Sequence, residues 1–329
     1  MRLLIHENAY RRIQAAIAAH SAVIEPLLVS DSGEINLAGA PLTLEQAAPD
    51  VVWANADAFF SPAARAFMTA ALKSPNLKWV QSGAAGFDNP VFAQFIQKGA
   101  VLTTSHGQAV GMAEYVLAGV LDAFQRGPER RAAQAARVWK RLAFREINGS
   151  RWLIVGFGAI GQGVADRARP FGAHITGVRR NPNSHPSADR IAARDDLPSL
   201  LPDADVVVLC CPLTAETRHL GNAAFFSAMK PGSVLVNVGR GGLVDEPALL
   251  AALDKGLPAH ALLDVFETEP LPGESAFWNH PSVSLTPHAS GITSGQDARN
   301  DELFVENLRR YATGEPLLNP ASPADVLAG

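Results

Sequence analysis

The chain has 329 residues, 47% hydrophobic and 18% charged, with a formal net charge of −4 at pH 7. Such a length is long for a single hydrophobic core and implies two domains in an ordinary globular protein. The charge gives no support for a nucleic-acid or anionic-membrane partner.

The opening "MRLLIHENAY" has too short an apolar run for a signal peptide, and no later run approaches bilayer length. A cytoplasmic protein is therefore expected. Strand-like runs recur as "RLLIH", "DVVWANA", "LKWVQSG" and "AVLTTS", with Ala-rich helical stretches between them. A long apolar-periodic helix is predicted from about Gln108 to Phe124. The basic run Arg126, Arg130, Arg131, Arg137, Lys140, Arg141 and Arg145 follows in an Ala-rich segment and reads as a solvated helix face.

The pattern then sharpens. "RWLIVGF", "HITGV", "DVVVLCC", "SVLVNV", "AHALLDV" and "VSLTP" are near-continuous apolar runs, as parallel strands covered on both faces require. Their alternation with helical or turn-rich connections predicts a doubly wound, Rossmann-type sheet. The only cysteines, Cys210 and Cys211, are strand neighbours that face opposite ways. They read as reduced thiols, with no CxxC pair and no metal expected. The chain returns to helix in "GQDARNDELFVENLRRYATG" and ends in a Pro-rich tail. The simplest partition is a dinucleotide-binding domain over 106–290 and a discontinuous substrate domain over 1–105 and 291–329. A ligand is expected in the cleft between two such domains.

"VGFGAIG" puts Gly156, Gly158 and Gly161 at GxGxxG spacing, directly after a strand and opening a helix. Gly156 would permit the tight turn, Gly158 the approach of a pyrophosphate, and Gly161 the packing of helix on strand. Backbone N–H groups around Ala159 and Ile160 would then face the anion. An acidic residue usually follows about 20 positions later, where it accepts hydrogen bonds from the adenosine ribose. Here Arg179 and Arg180 stand 18 and 19 residues past Gly161. A guanidinium pairs with a 2′-phosphate, and a second can stack on adenine. NADP(H) is accordingly the expected cofactor, with NAD(H) as the alternative.

Three more residues follow separate predicted strands at the same sheet edge: Arg240 in "VGRGG", Glu269 in "VFETEP" and His288 in "LTPHAS". A histidine held by a carboxylate can exchange protons near neutral pH, and an arginine beside it can grip a carboxylate and polarise a carbonyl.

The motifs "VGFGAIG", "CCPLTAETRHL", "MKPGSVLVNVGRGGLVDEPALLAAL", "ALLDVFETEPLP" and "FWNHPSVSLTPHASGIT" occur in that order. In this the chain resembles the D-isomer-specific 2-hydroxyacid dehydrogenase family. "LKWVQSGAAGFDN" and "AVGMAEYVL" resemble its substrate-domain stretches. The resemblance implies a Rossmann-type cofactor domain and a smaller flavodoxin-like α/β substrate domain. It implies that His288 is the general acid/base, that Glu269 orients it, and that Arg240 binds the carboxylate and carbonyl of a 2-oxo acid. Backbone N–H groups of Ala85 and Gly86 would receive the other side of that carboxylate. Cys211, Pro212, Thr217, Val238, Gly239, Asp264, Ser290 and Gly291 would line the cofactor with His288, and Met112 would face the nicotinamide. The family's usual association implies a homodimer through the cofactor domain.

Two departures stand out. Phe87 in "GAAGFD" replaces a smaller apolar residue, and the arginines replace the acid. With the Trp139 of "VWK", the arginines resemble the NADPH-linked glyoxylate/hydroxypyruvate reductases, where such a Trp would help shape the substrate site. Competing expectations are an NAD-dependent enzyme of another 2-hydroxy acid, such as phosphoglycerate, and a non-catalytic dinucleotide sensor like the corepressors that resemble these dehydrogenases.

Overall fold

The computed structural model describes residues 1–19, 23–87 and 89–328. It divides into two compact units, Met1–Gln108 with Ser294–Gly329, and Ala109–Thr293. Among the described residues, no helix is long and apolar enough to cross a membrane.

In the first unit, β1 (Arg2–His6), β2 (Glu25–Val29), β3 (Ile35–Leu37), β4 (Ala40–Leu42), β5 (Val51–Ala54), β6 (Trp79–Ser82) and β7 (Val101–Thr103) form one sheet. Its order is β4-β3-β2-β1-β5-β6-β7. The strands β2-β1-β5-β6-β7 are parallel and follow the flavodoxin-like order. β3 and β4 add an antiparallel hairpin. Sequence patterning did not single out β2 or the hairpin. The turn between β3 and β4 is Ala38–Gly39, with φ of 50° and 84°, and Ala38 is not a residue that announces such a turn.

One face of this sheet buries Leu4, Val52, Phe67, Phe92 and Phe95, and the other buries Leu3, Ile5, Trp53 and Trp79. Onto the second face packs the helix Gln296–Thr313 from the end of the chain. Phe304 stacks on Trp53 at 4.8 Å and on Trp79 at 5.7 Å between ring centroids. Arg12 Nε donates to Asp301 Oδ2 of that helix at 2.6 Å, beside a 2.9 Å pair with Asp57.

The second unit holds β8 (Arg151–Val155), β9 (His174–Val178), β10 (Arg190–Ala192), β11 (Val206–Leu209), β12 (Val234–Asn237), β13 (His260–Leu263) and β14 (Val283–Leu285). All pairings are parallel, in the order β10-β9-β8-β11-β12-β13-β14. This is the doubly wound sheet, and its strand order reverses between β8 and β11, where ligands bind in such folds. The six apolar runs are all strands. β10 carries no apolar run because it is only three residues long, starts on the exposed Arg190 and lies among polar residues.

Apolar clusters cover both faces of this sheet. The helix Ala109–Phe124 lies on one of them, with Gly119 close against Leu262: a Cβ there would meet Leu262 Cδ2 at 2.2 Å, so that side chain would have to shift. The basic run is not one helix face. Arg130 and Arg131 lie on the helix Gly127–Ala135, but Arg137 turns left-handed at φ 57° and ends it. Arg145, further on, sits 4.1 Å over the Phe124 ring and pairs with Asp205 at 2.9 Å.

Candidate active site

Of the residues implicated in cofactor binding and catalysis, Met112 is buried on the helix Ala109–Phe124, and Ala85, Gly86 and Trp139 lie elsewhere; the others lie at or beyond the carboxyl ends of the second sheet's strands. After β8 the chain turns at Gly156, with φ 101°. A Cβ at this position would fall 2.4 Å from the Cys211 backbone nitrogen, so only glycine fits. A Cβ at Gly161 would fall 2.3 Å from the Gly156 carbonyl, which explains the close seating of the helix Ala159–Ala168 on the turn. Gly158 differs: nothing in the unit lies within 4 Å of the Cβ it lacks. It precedes the helix without a side-chain cap, so the first N–H groups, including those of Ala159 and Ile160, donate to no capping side chain. An open glycine before an uncapped helix N-terminus suits a pyrophosphate.

Arg179 and Arg180 directly follow β9, the neighbour of β8. Arg179 donates from its backbone to Ala192 O at 3.2 Å and from Nη2 to Asn183 O. Its Nε is buried with no hydrogen-bond partner among the described residues. Arg180 is exposed. After β11, the Cys210 thiol donates to Gly156 O at 2.9 Å, tying this loop to the glycine turn. Burial pushes the Cys211 thiol up to about 11, so it stays protonated near neutral pH. Thr217 Oγ1 donates to Pro212 O at 2.8 Å and accepts from Thr214 N at 2.7 Å, closing the Pro212–Thr217 turn.

The Arg240 turn is held by Asn237, a buried residue at the end of β12. Its side chain accepts from Gly239 N at 3.1 Å and donates to Arg240 O at 3.0 Å. The next residue, Gly241, lies against the loop after β13, where a Cβ would meet Phe266 C at 1.8 Å. That close approach sets the Arg240 turn against the loop carrying Glu269. Glu269 Oε1 accepts from Phe266 N at 3.0 Å, and Oε2 lies 2.7 Å from His288 Nδ1. His288 is left-handed, with φ 51°, and donates from its backbone to Asp264 O at 2.7 Å.

Asp264 is 1% exposed. Its carboxylate accepts from Thr286 Oγ1 at 2.6 Å, Ala289 N at 2.8 Å, Ser290 N at 3.1 Å and the Ser290 hydroxyl. Asp264 thus organises the segment that carries His288. Sequence reasoning missed Asn237, Thr286 and this use of Asp264. The available signals were a polar residue in the apolar run "SVLVNV" and the Thr before "PHAS".

The structure brings His288 and Glu269 together and sets the Arg240 turn beside their loop. Ala85 and Gly86 belong to the first unit, in the loop after β6, whose Asp88 lies outside the described residues. Trp139 lies past the helix Gly127–Ala135 and is 94% exposed.

A doubly wound sheet with an uncapped glycine turn and a histidine–carboxylate pair at one edge defines a dinucleotide-dependent oxidoreductase. Residues 117–290 match the family model described as D-isomer specific 2-hydroxyacid dehydrogenase, NAD binding domain. Glyoxylate/hydroxypyruvate reductase A of Serratia proteamaculans (strain 568) is 34% identical over 223 residues, 68% of this chain and 70% of that one. The (S)-sulfolactate dehydrogenase of Chromohalobacter salexigens is 37% identical over 244 residues, 72% of this chain and 78% of that one. A D-isomer specific 2-hydroxyacid dehydrogenase from Xanthobacter autotrophicus Py2, solved with NADPH and MES, superposes with a TM-score of 0.79 at 29% identity, covering 99% of this chain and 98% of that one.

The chain belongs to the D-isomer-specific 2-hydroxyacid dehydrogenase family, as an NAD(P)-dependent oxidoreductase similar to the glyoxylate/hydroxypyruvate reductases.

Proposed function

We propose that this protein is an NADPH-dependent reductase of small 2-oxo acids, with glyoxylate and hydroxypyruvate as substrates and His288 as general acid. The 2.7 Å contact between His288 Nδ1 and Glu269 Oε2 carries the catalytic half of this reading. With Nδ1 engaged by the carboxylate, Nε2 is the nitrogen that exchanges a proton with substrate. When bound, the nicotinamide supplies a hydride to C2 of the 2-oxo acid. His288 gives its proton to the carbonyl oxygen and recovers it in the reverse direction. Arg240 holds the carboxylate and stabilises negative charge developing on that oxygen. Ala85 and Gly86 are the proposed backbone donors to the same carboxylate.

The glycine turn and the N–H groups of Ala159 and Ile160 would hold the pyrophosphate. Arg179 and Arg180 would meet the 2′-phosphate, a role supported by the buried, unpartnered Arg179 Nε and by the lack of an acid at this strand end. The loops bearing Cys211, Pro212, Thr217, Val238, Gly239, Asp264, Ser290 and Gly291 would line the rest of the cofactor. We also infer a cytoplasmic homodimer. Exposed Val138, Trp139 and Phe144 support an apolar association surface on the second unit, and the two free thiols support a reducing compartment.

A panel of 2-oxo acids assayed with NADPH and NADH in parallel tests the proposal. Glyoxylate and hydroxypyruvate should be turned over fastest, with kcat/KM favouring NADPH by about tenfold or more, roughly 1.4 kcal/mol. The panel includes a sulfonated 2-oxo acid because one relative is named for sulfolactate. A cofactor ratio near one overturns the role of the arginines, and fastest turnover of the sulfonated acid overturns the substrate assignment.

A further inference from the structure

Tyr115 lies on the helix Ala109–Phe124, half-buried, and sequence reasoning assigned it nothing. Its hydroxyl is 2.7 Å from Thr286 Oγ1. Thr286 Oγ1 donates its one proton to Asp264 Oδ1 at 2.6 Å. A hydroxyl has a single proton to give, so Tyr115 must be the donor in its contact with Thr286. The result is a directed chain, Tyr115 to Thr286 to Asp264, ending on the carboxylate that also gathers the backbone N–H groups of Ala289 and Ser290. Between Thr286 and Ala289 sits His288, left-handed and bonded to the Asp264 carbonyl.

We propose that Tyr115 is a positioning residue for the reaction, acting through Thr286 and Asp264 to hold the His288 loop in its strained, proton-donating geometry. This rests on the reading of His288 as general acid. The helix supplies a rigid base that the loop itself lacks. Without the Tyr115 proton, the Thr286 hydroxyl loses the partner that fixes its direction, and Asp264 is left with a weaker hold on one side of the histidine. Burial pushes the Tyr115 hydroxyl up to about 12, so it remains a donor throughout the working pH range.

The test measures kcat, KM and NADPH dissociation constant, using whichever 2-oxo acid is turned over fastest, for Tyr115→Phe, Thr286→Val, Thr286→Ser, the double variant Tyr115→Phe/Thr286→Val, and His288→Ala. Tyr115→Phe should lower kcat about three- to thirtyfold, the effect of one hydrogen bond in a buried chain, while KM and cofactor affinity change less than about twofold. Thr286→Val should behave alike, and Thr286→Ser should recover most of the rate. The double variant should be no slower than the slower single, because both remove the same coupling. A Tyr115→Phe enzyme with unchanged kcat, or losses that multiply in the double variant, overturns the proposal while a crippled His288→Ala leaves the general-acid reading standing. Turnover retained by His288→Ala overturns both.

Discussion

At the scale of single residues, His288 combines an unfavourable backbone with a well-bonded side chain. A left-handed φ of 51° costs a non-glycine residue about 1–2 kcal/mol. The loop tolerates that cost because Asp264 bonds it on both sides of the histidine. The strain aims the ring at Glu269 and leaves the side chain half exposed. His288→Ala should therefore lower kcat by about 10²–10⁴, the range for a positioned acid, and leave NADPH affinity within about twofold. Steady-state kinetics and fluorescence titration of the nucleotide check this. Turnover close to wild type would mean that the proton comes from elsewhere.

At the scale of elements, the site is a set of strand-end loops locked to one another by small residues. Gly156 abuts Cys211, Gly161 abuts Gly156, and Gly241 abuts Phe266. The first and last of these contacts join loops that follow different strands, so displacing one loop moves its neighbour. Gly156→Ala combines a disallowed φ with a Cβ 2.4 Å from backbone that has no free end to swing away. NADPH affinity should fall at least about tenfold while the variant still folds, because the strain falls on a turn at the sheet edge. Calorimetric titration beside circular dichroism separates the two effects. An unchanged dissociation constant would show that the turn does not hold the nucleotide.

At the scale of the whole molecule, each unit has its own sheet with apolar clusters on both faces, so a single unfolding transition is not required. The transition of the second unit is the one NADPH should raise. His260 contributes to its pH dependence. Burial holds this imidazole below its ordinary value, His280 adds to the lowering, and Asp122 opposes it. Above about pH 6.5 the ring is neutral in both folded and unfolded chains and adds no proton-linked term. As pH falls below that, the unfolded chain takes up the proton first, and stability is lost until the folded value is reached. The NADPH-sensitive Tm should fall as pH drops below about 6.5, and less steeply in His260→Gln than in the wild type. Parallel curves would remove His260 from the acid response.

The sequence by itself determined the doubly wound sheet, since strands buried on both faces must be written as apolar runs such as "RWLIV" and "DVVVL". It also located Arg240, Glu269 and His288 at strand ends, because chemistry-bearing residues stand out against such runs. The hairpin of β3 and β4 and the short β10 escaped it. Their register is set by neighbouring strands, and their own three-residue patterns are too brief to announce a strand. Only the tertiary structure decided how the site is held together. Asp264 reaches Thr286 across 22 residues, and Tyr115 reaches Thr286 across 171. Contacts between positions so far apart leave no periodic trace along the chain, and they exist only once the sheet has brought its loops to one edge.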